Sequence, residues 1–336
     1  MRCARLLLVV TVLLLLAAGG LSAQDKIPLR VKFAPGQELR YSMTMTGVGG
    51  LAIAGPGAPA APGDMFMDMA LDLRQKTRSV DEAGVGEVEM LLDSLRSTVQ
   101  MLGFEQAMEL TEGHLRILLN DEVLFDSAQA QPGEANPLAA LLGQGIIMRI
   151  DPTGKLVGLP QVELLKGLVP GMADLDIDKL LAMGKGDLPS EAVAVGDTWE
   201  VVQSIPFVKV EGNEPPAVKT TYKLEKLEQV QGRQCAKIAG TTEMHVTGMA
   251  FPPLPMLMGP VQGKTTMDVR EMGFKVQQTR WFDYENGLDV KTTWDMSMNM
   301  DFHQTMEFEQ EGKPQKMQMD LKMEGMELMG DMVLKP

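Results

Sequence analysis

The chain reads as mainly β (α+β): two related, curved antiparallel sheets, each a half-barrel-like unit, with short helical insertions in the first half. Three observations predict this. Apolar and polar residues alternate with period two over most of the length, and successive side chains of a strand leave opposite faces. Turn residues interrupt the alternation at short intervals, as antiparallel hairpins require. Matching stretches recur in the two halves.

Before the first strand, Arg2 and Arg5 precede an apolar run from Leu6 to Leu16, interrupted by Thr11, and small residues follow from Ala17 to Ala23. That is the layout of a secretory signal peptide, cut after Leu21-Ser22-Ala23. The apolar run is about half the ~20 residues a helix needs to cross a bilayer. The expectation is an exported protein, periplasmic or extracellular, soluble after cleavage and without stable membrane insertion. Cleavage leaves 313 of the 336 residues and, by removing Arg2 and Arg5, takes the net charge from −14 to −16. Such a balance excludes nucleic-acid binding through phosphate neutralisation. Cys3 leaves with the signal peptide, so Cys235 is the remaining thiol and no intramolecular disulfide forms.

The recurring stretches set the order of elements. Phe33-Ala34-Pro35-Gly36-Gln37-Glu38-Leu39-Arg40-Tyr41 matches Val193-Ala194-Val195-Gly196-Asp197-Thr198-Trp199-Glu200-Val201: a glycine turn, a polar residue, then a strand. Leu71 to Val88 matches Tyr222 to Ile238 as strand, tight turn, strand. The turn Asp151-Pro152-Thr153-Gly154-Lys155-Leu156 matches Asp283-Tyr284-Glu285-Asn286-Gly287-Leu288. Offsets of 160, 150 and 132 residues imply unequal insertions. Leucines clustered at helical spacing place the insertions at 128–143 and 161–184. Gly49 to Asp64, rich in Gly, Ala and Pro, reads as an irregular loop, and Pro252 to Gly263 as a second excursion. The expected organisation is signal peptide 1–23, first β unit 24–188 and second β unit 189–336.

Methionine is the compositional anomaly: 28 in the chain, 16 of them after residue 241. Their parity is regular. Trp294, Met296, Met298, Met300 and Phe302 alternate with polar residues, as do Met43 and Met45 beside Tyr41, and Met65, Met67 and Met69 running into Leu71. Each run therefore builds one apolar and one wet strand face. Three uses compete for these stripes. Flexible, polarizable side chains suit a surface that accommodates an apolar small molecule or lipid, and the residues just named would line it. Soft thioethers select Cu(I), which makes a periplasmic copper-handling protein the alternative. Against copper, His303 and His245 fall on the opposite parity from the methionines and His114 stands alone. A filled core in a purely structural or interaction protein is the third.

Chemistry-bearing motifs fail on inspection. Gly259 to Thr265 resembles a P-loop but has three residues between its glycines and leads into a strand pattern. Asp174-Leu175-Asp176-Ile177-Asp178 starts like a calcium loop, but Lys179 takes the turn-glycine position and Lys185 that of the bidentate glutamate. No Gly-x-Ser-x-Gly, His-Glu-x-x-His or Cys-x-x-Cys occurs. The reading is a non-enzymatic protein with no cofactor and no metal among its assigned residues; it names no protein partner.

The Phe33-to-Tyr41 turn, Met148 to Lys155, Val195-Gly196-Asp197-Thr198-Trp199 and Val230 to Ile238 together resemble a bacterial family of exported, duplicated β proteins labelled a domain of unknown function. The resemblance implies a fold and an exported compartment; its motifs are structural turns and transfer no active-site residues. The architecture is also similar, at the level of fold, to half-barrel lipoprotein carriers, in which a curved sheet is covered by helices.

Overall fold

The computed structural model describes residues 26–55, 61–111, 114–129, 145–160, 186–204, 209–210, 217–255, 263–310 and 313–336. In chain order the strands are β1 (Glu38–Ala54), β2 (Ala61–Val80), β3 (Gly86–Met101), β4 (Phe104–Thr111), β5 (His114–Leu119), β6 (Glu122–Asp126), β7 (Ile146–Ile150) and β8 (Leu156–Gly158). There follow β9 (Thr198–Ser204), β10 (Lys209–Val210), β11 (Ala217–Val230), β12 (Arg233–Pro255), β13 (Gly263–Asp283), β14 (Leu288–Gln310) and β15 (Lys313–Leu334).

All join one antiparallel sheet in the order β6-β5-β4-β3-β2-β1-β15-β14-β13-β12-β11-β9; β7 pairs β3 and β8, and β10 pairs β12. This corrects the expected pair of sheets to a single continuous one. The join is β1 against β15, from Tyr41 opposite Leu334 to Ala54 opposite Asp320. Register explains it: both strands carry their apolar residues to the same side, so pairing extends one apolar face. The end strands β6 and β9 do not pair with each other, and the sheet is not closed.

Among the described residues there is no helix. The expected helical insertions at 128–143 and 161–184 lie outside the described residues, except Ala128 and Gln129, which form a turn after β6. The described insertion of the first half is a meander, β4–β5–β6, placed between β3 and β7. The expected loop from Gly49 to Asp64 is also shorter than its composition suggests. Strands β1 and β2 take residues up to Ala54 and from Ala61, because ladder hydrogen bonding carries Gly49, Gly50 and Gly63 along. Pro252 to Pro255 and Gly263 likewise end strands β12 and β13. The spurious P-loop's Gly263-Lys264-Thr265 opens β13, so no helix N-terminus follows it.

The matched turns share hydrogen bonds as well as sequence. The Gly36 amide donates to Thr77 O, Gln37 N to Ala34 O and Thr77 N to Gln37 O. Correspondingly, Gly196 N donates to Leu224 O, Asp197 N to Ala194 O and Leu224 N to Asp197 O. Gly36 and Gly196 have φ of 81° and 97°, which is why glycine stands at both. The Asp151 and Asp283 turns also correspond: each carboxylate accepts main-chain amides two or more residues on, Thr153 and Lys155 in one, Glu285 and Asn286 in the other.

Two segments outside the long strands, 26–33 and the bent stretch 186–193, close this end of the sheet. They bond to each other through Ile27 and Val193, while Val31 N donates to Pro152 O and Lys32 N to Gly287 O. Leu29, Leu188 and Val193 complete a core with Tyr222, Leu224, Ala236, Ile238 and Phe282. Gly287 lies beneath the first segment with φ 70°, and a Cβ there would sit 2.6 Å from Arg30 O. Gly36 has φ 81° and open space around it. Thermal or urea unfolding should therefore show a loss of about 1 kcal/mol for Gly36→Ala and about 3 kcal/mol for Gly287→Ala. Equal losses would mean that the segment does not pack on this turn.

Candidate functional site

Directly opposite residues of an antiparallel pair project to the same side of the sheet. Following the registers outward from β1, Met43 lies opposite Met332 and Leu71, and Met45 opposite Gly330 and Met69. Gly47 faces Met67 and Gly49 faces Met65, which in turn is opposite Met101. On the other side, β15 brings Gly330 opposite Trp294, Leu328 opposite Met296, Met326 opposite Met298, Met323 opposite Met300 and Leu321 opposite Phe302. All ten sequence-assigned residues, five from each half, therefore share one side of one sheet.

Two local devices keep them there. The apolar parity of β15 changes between Met323 and Met326, and Gly325, with φ 56°, sits at the irregularity that absorbs the extra residue. Glycines also make room for larger neighbours. A Cβ at Gly49 would lie 2.9 Å from Met326 Cα, and one at Gly330 would lie 2.5 Å from the Trp294 indole. Sequence parity alone predicts the stripes but not their union, because the β1–β15 pairing links residues nearly 300 positions apart.

The face is half-buried. Phe302 and Met326 are buried, whereas Met43, Met45, Met65, Met67, Met69, Trp294, Met296, Met298 and Met300 are of intermediate exposure. From β3 to β12 it spans about 30 Å, and from the Trp294 row to the Phe302 row about 27 Å. That is roughly 800 Å² in projection, of which the intermediate exposure of the side chains leaves only a part accessible. The described strands make their principal contacts with hydrogen-bonded neighbours and not across this face. The described residues do not seal it into an enclosed cavity. The open groove of about 750 Å³ beside Lys26, Pro189 and Trp199 belongs to β9 and segment 186–193.

Charge is segregated to the other side. There Arg74 meets Asp93 at 2.8 Å, Arg78 meets Glu89 at 2.9 Å and Lys275 meets Glu243 at 2.9 Å. The histidines also stand there: His303 with Asp320 at 2.9 Å, His114 with Asp126 at 2.6 Å and His245 with Glu271 at 3.7 Å. Among the residues of β1–β5 and β11–β15 whose side chains the structure describes, the charged groups on the methionine side are Arg280 and Asp289, and these pair with each other.

That pair marks the boundary between the closed end and the methionine face. Arg280 also meets Asp187 at 2.7 Å, and its guanidinium lies 4.9 Å from the Phe282 ring centre. Burial opposes its charge, yet the two carboxylates hold its pKa above the ordinary value. Asp289 is shifted upward by burial, with Arg280 pulling the other way. Alongside, the Gln278 amide donates to the Tyr222 hydroxyl at 3.1 Å, and burial, then the Asp187 charge, push that phenol up to about 12. Cys235 is fully buried with Tyr41, Leu288, Val290 and Leu334, and burial pushes its thiol up to about 11, so it is an inert core residue at neutral pH.

No protein-family model matches this chain, and no curated protein matches it. Among solved structures it is similar, at 7% identity and a TM-score of 0.17, to OpdQ of Pseudomonas aeruginosa, over 89% of this chain and 99% of that one. OccK5 (OpdH) of the same organism shows 8% identity and a TM-score of 0.19 over 90% and 100% of the two chains. OmpT, an outer membrane protein of Vibrio cholerae, shows 8% and 0.15 over 91% and 99%. Likeness at that level bears on neither topology nor function.

Proposed function

We propose that this is an exported, non-enzymatic protein that holds an apolar ligand, the acyl chain of a lipid, against its methionine-lined sheet face. The observation that carries the reading is the convergence of both stripes on one side, where the charged groups with described side chains, Arg280 and Asp289, pair with each other. Thioether side chains adapt to chains of differing length and unsaturation at little cost, since they are unbranched and polarizable. Export rests on the n-region, apolar run and small-residue cut site of residues 1–23, and gives a compartment in which such a ligand needs a carrier.

Titration of the mature protein with a fluorescent long-chain fatty acid tests this. Saturable uptake with a blue-shifted emission, displaced by unlabelled oleate, is the expected result. A face that takes up no probe, in protein that is folded by circular dichroism, would leave the stripes as structural packing or a protein-docking surface.

A further inference from the structure

We infer that the same sheet carries, independently of any apolar ligand, a three-thioether site for a soft monovalent cation, Cu(I), built by Met272, Met300 and Met323. Met300 on β14 lies directly opposite Met272 on β13 and directly opposite Met323 on β15. The three side chains form one row on one face, with neighbouring Cβ atoms about 4.5–5.5 Å apart. Three rotatable bonds let each thioether bring its Sδ toward a point above the central strand. Both pairings adjoin irregularities in the ladder, between Val269 and Glu271 on β13 and between Met298 and Met300 on β14, which increase local twist.

The chemistry of the row is selective. Thioether sulfur is a soft donor suited to Cu(I), whereas Zn(II) and harder ions prefer imidazole, thiolate or carboxylate. Among the described residues no group of three His, Cys, Asp or Glu side chains is placed to hold a metal. All three methionines are half-buried against Val269 and Phe302, so an ion is shielded on one side and keeps contact with solvent on the other. Elsewhere on the face methionines pair in twos, as in Met43 with Met332, Met45 with Met69 and Met298 with Met326. Leucine would fill the same volume. Sulfur is the part of this row that packing does not require. The histidines' position on the opposite face, which disfavours a mixed Met/His site, has no bearing on three sulfurs supplied by three strands.

The test is anaerobic competition of the mature protein against a chromophoric Cu(I) chelator. Wild type is compared with Met272→Leu/Met300→Leu/Met323→Leu and with the control Met90→Leu/Met108→Leu/Met332→Leu, each checked for folding by circular dichroism. One Cu(I) per chain with a sulfur-only shell by X-ray absorption is expected, weakened about a hundredfold or more by the row variant and unchanged in the control. Lack of retention by wild type, equal weakening in both variants, or a shell of nitrogen or oxygen would overturn the site. Fatty-acid uptake by a wild-type protein that retains no copper would remove this inference and leave the proposed ligand role standing.

Discussion

Replacing Arg280 with alanine is expected to lower folded-state stability by about 3–5 kcal/mol, the cost of leaving one partner of a buried ion pair unmatched. The guanidinium has two carboxylate partners, Asp289 and Asp187, and its own side chain is 12% exposed. Asp187 lies at a bend in the segment that closes the end of the sheet, and its carbonyl accepts the Trp199 indole N–H at 2.9 Å. Losing Arg280 therefore loosens segment 186–193 from β13 and leaves the Asp289 charge with no counter-ion on its face. The same group makes a second, opposite expectation. Arg280→Met with Asp289→Leu and Asp187→Asn should recover most of the lost stability, since apolar replacement of a whole buried network is often neutral. Urea unfolding of the single and triple variants decides it; a single variant within about 0.5 kcal/mol of wild type would place Arg280 in solvent.

Met298→Glu is expected to cost about 2–3 kcal/mol and to abolish fatty-acid uptake, while Asn299→Glu, one residue away, changes both by little. Met298 lies between Phe274 and Met326 on the apolar side, and a carboxylate there has no cation within the row. Asn299 is exposed on the charged side, where its Oδ1 accepts the Gly325 amide at 2.8 Å, so some local cost at the bulge is expected but none to the methionine face. Equal sensitivity at the two positions would contradict the assignment of faces.

Much of the β architecture was legible from alternation, because a strand with one wet side must repeat every two residues. The turns at Gly36, Gly196, Asp151 and Asp283 were legible too, since positive φ and aspartate-capped loops restrict residue choice. Two things were not. Alternation carries no information about which strand pairs with which, so the β1–β15 join and the cross-strand methionine rows stayed hidden. Periodicity also fails where the ladder slips: Met323 and Met326 differ in parity yet share a face, and Gly325 was the residue that signalled the slip. The β4–β5–β6 meander was not legible from leucine spacing, because its apolar residues meet across strands, Leu110 with Leu115 and Met108 with Ile117.

Mass spectrometry of the protein purified from its native source, first intact under non-denaturing conditions and then after extraction into organic solvent, tests the central claim most directly. Copurified acyl lipid, released on denaturation and reduced by Met298→Glu but not by Asn299→Glu, is the predicted result. Protein that emerges without lipid, and that also refuses a fluorescent fatty acid, would contradict it.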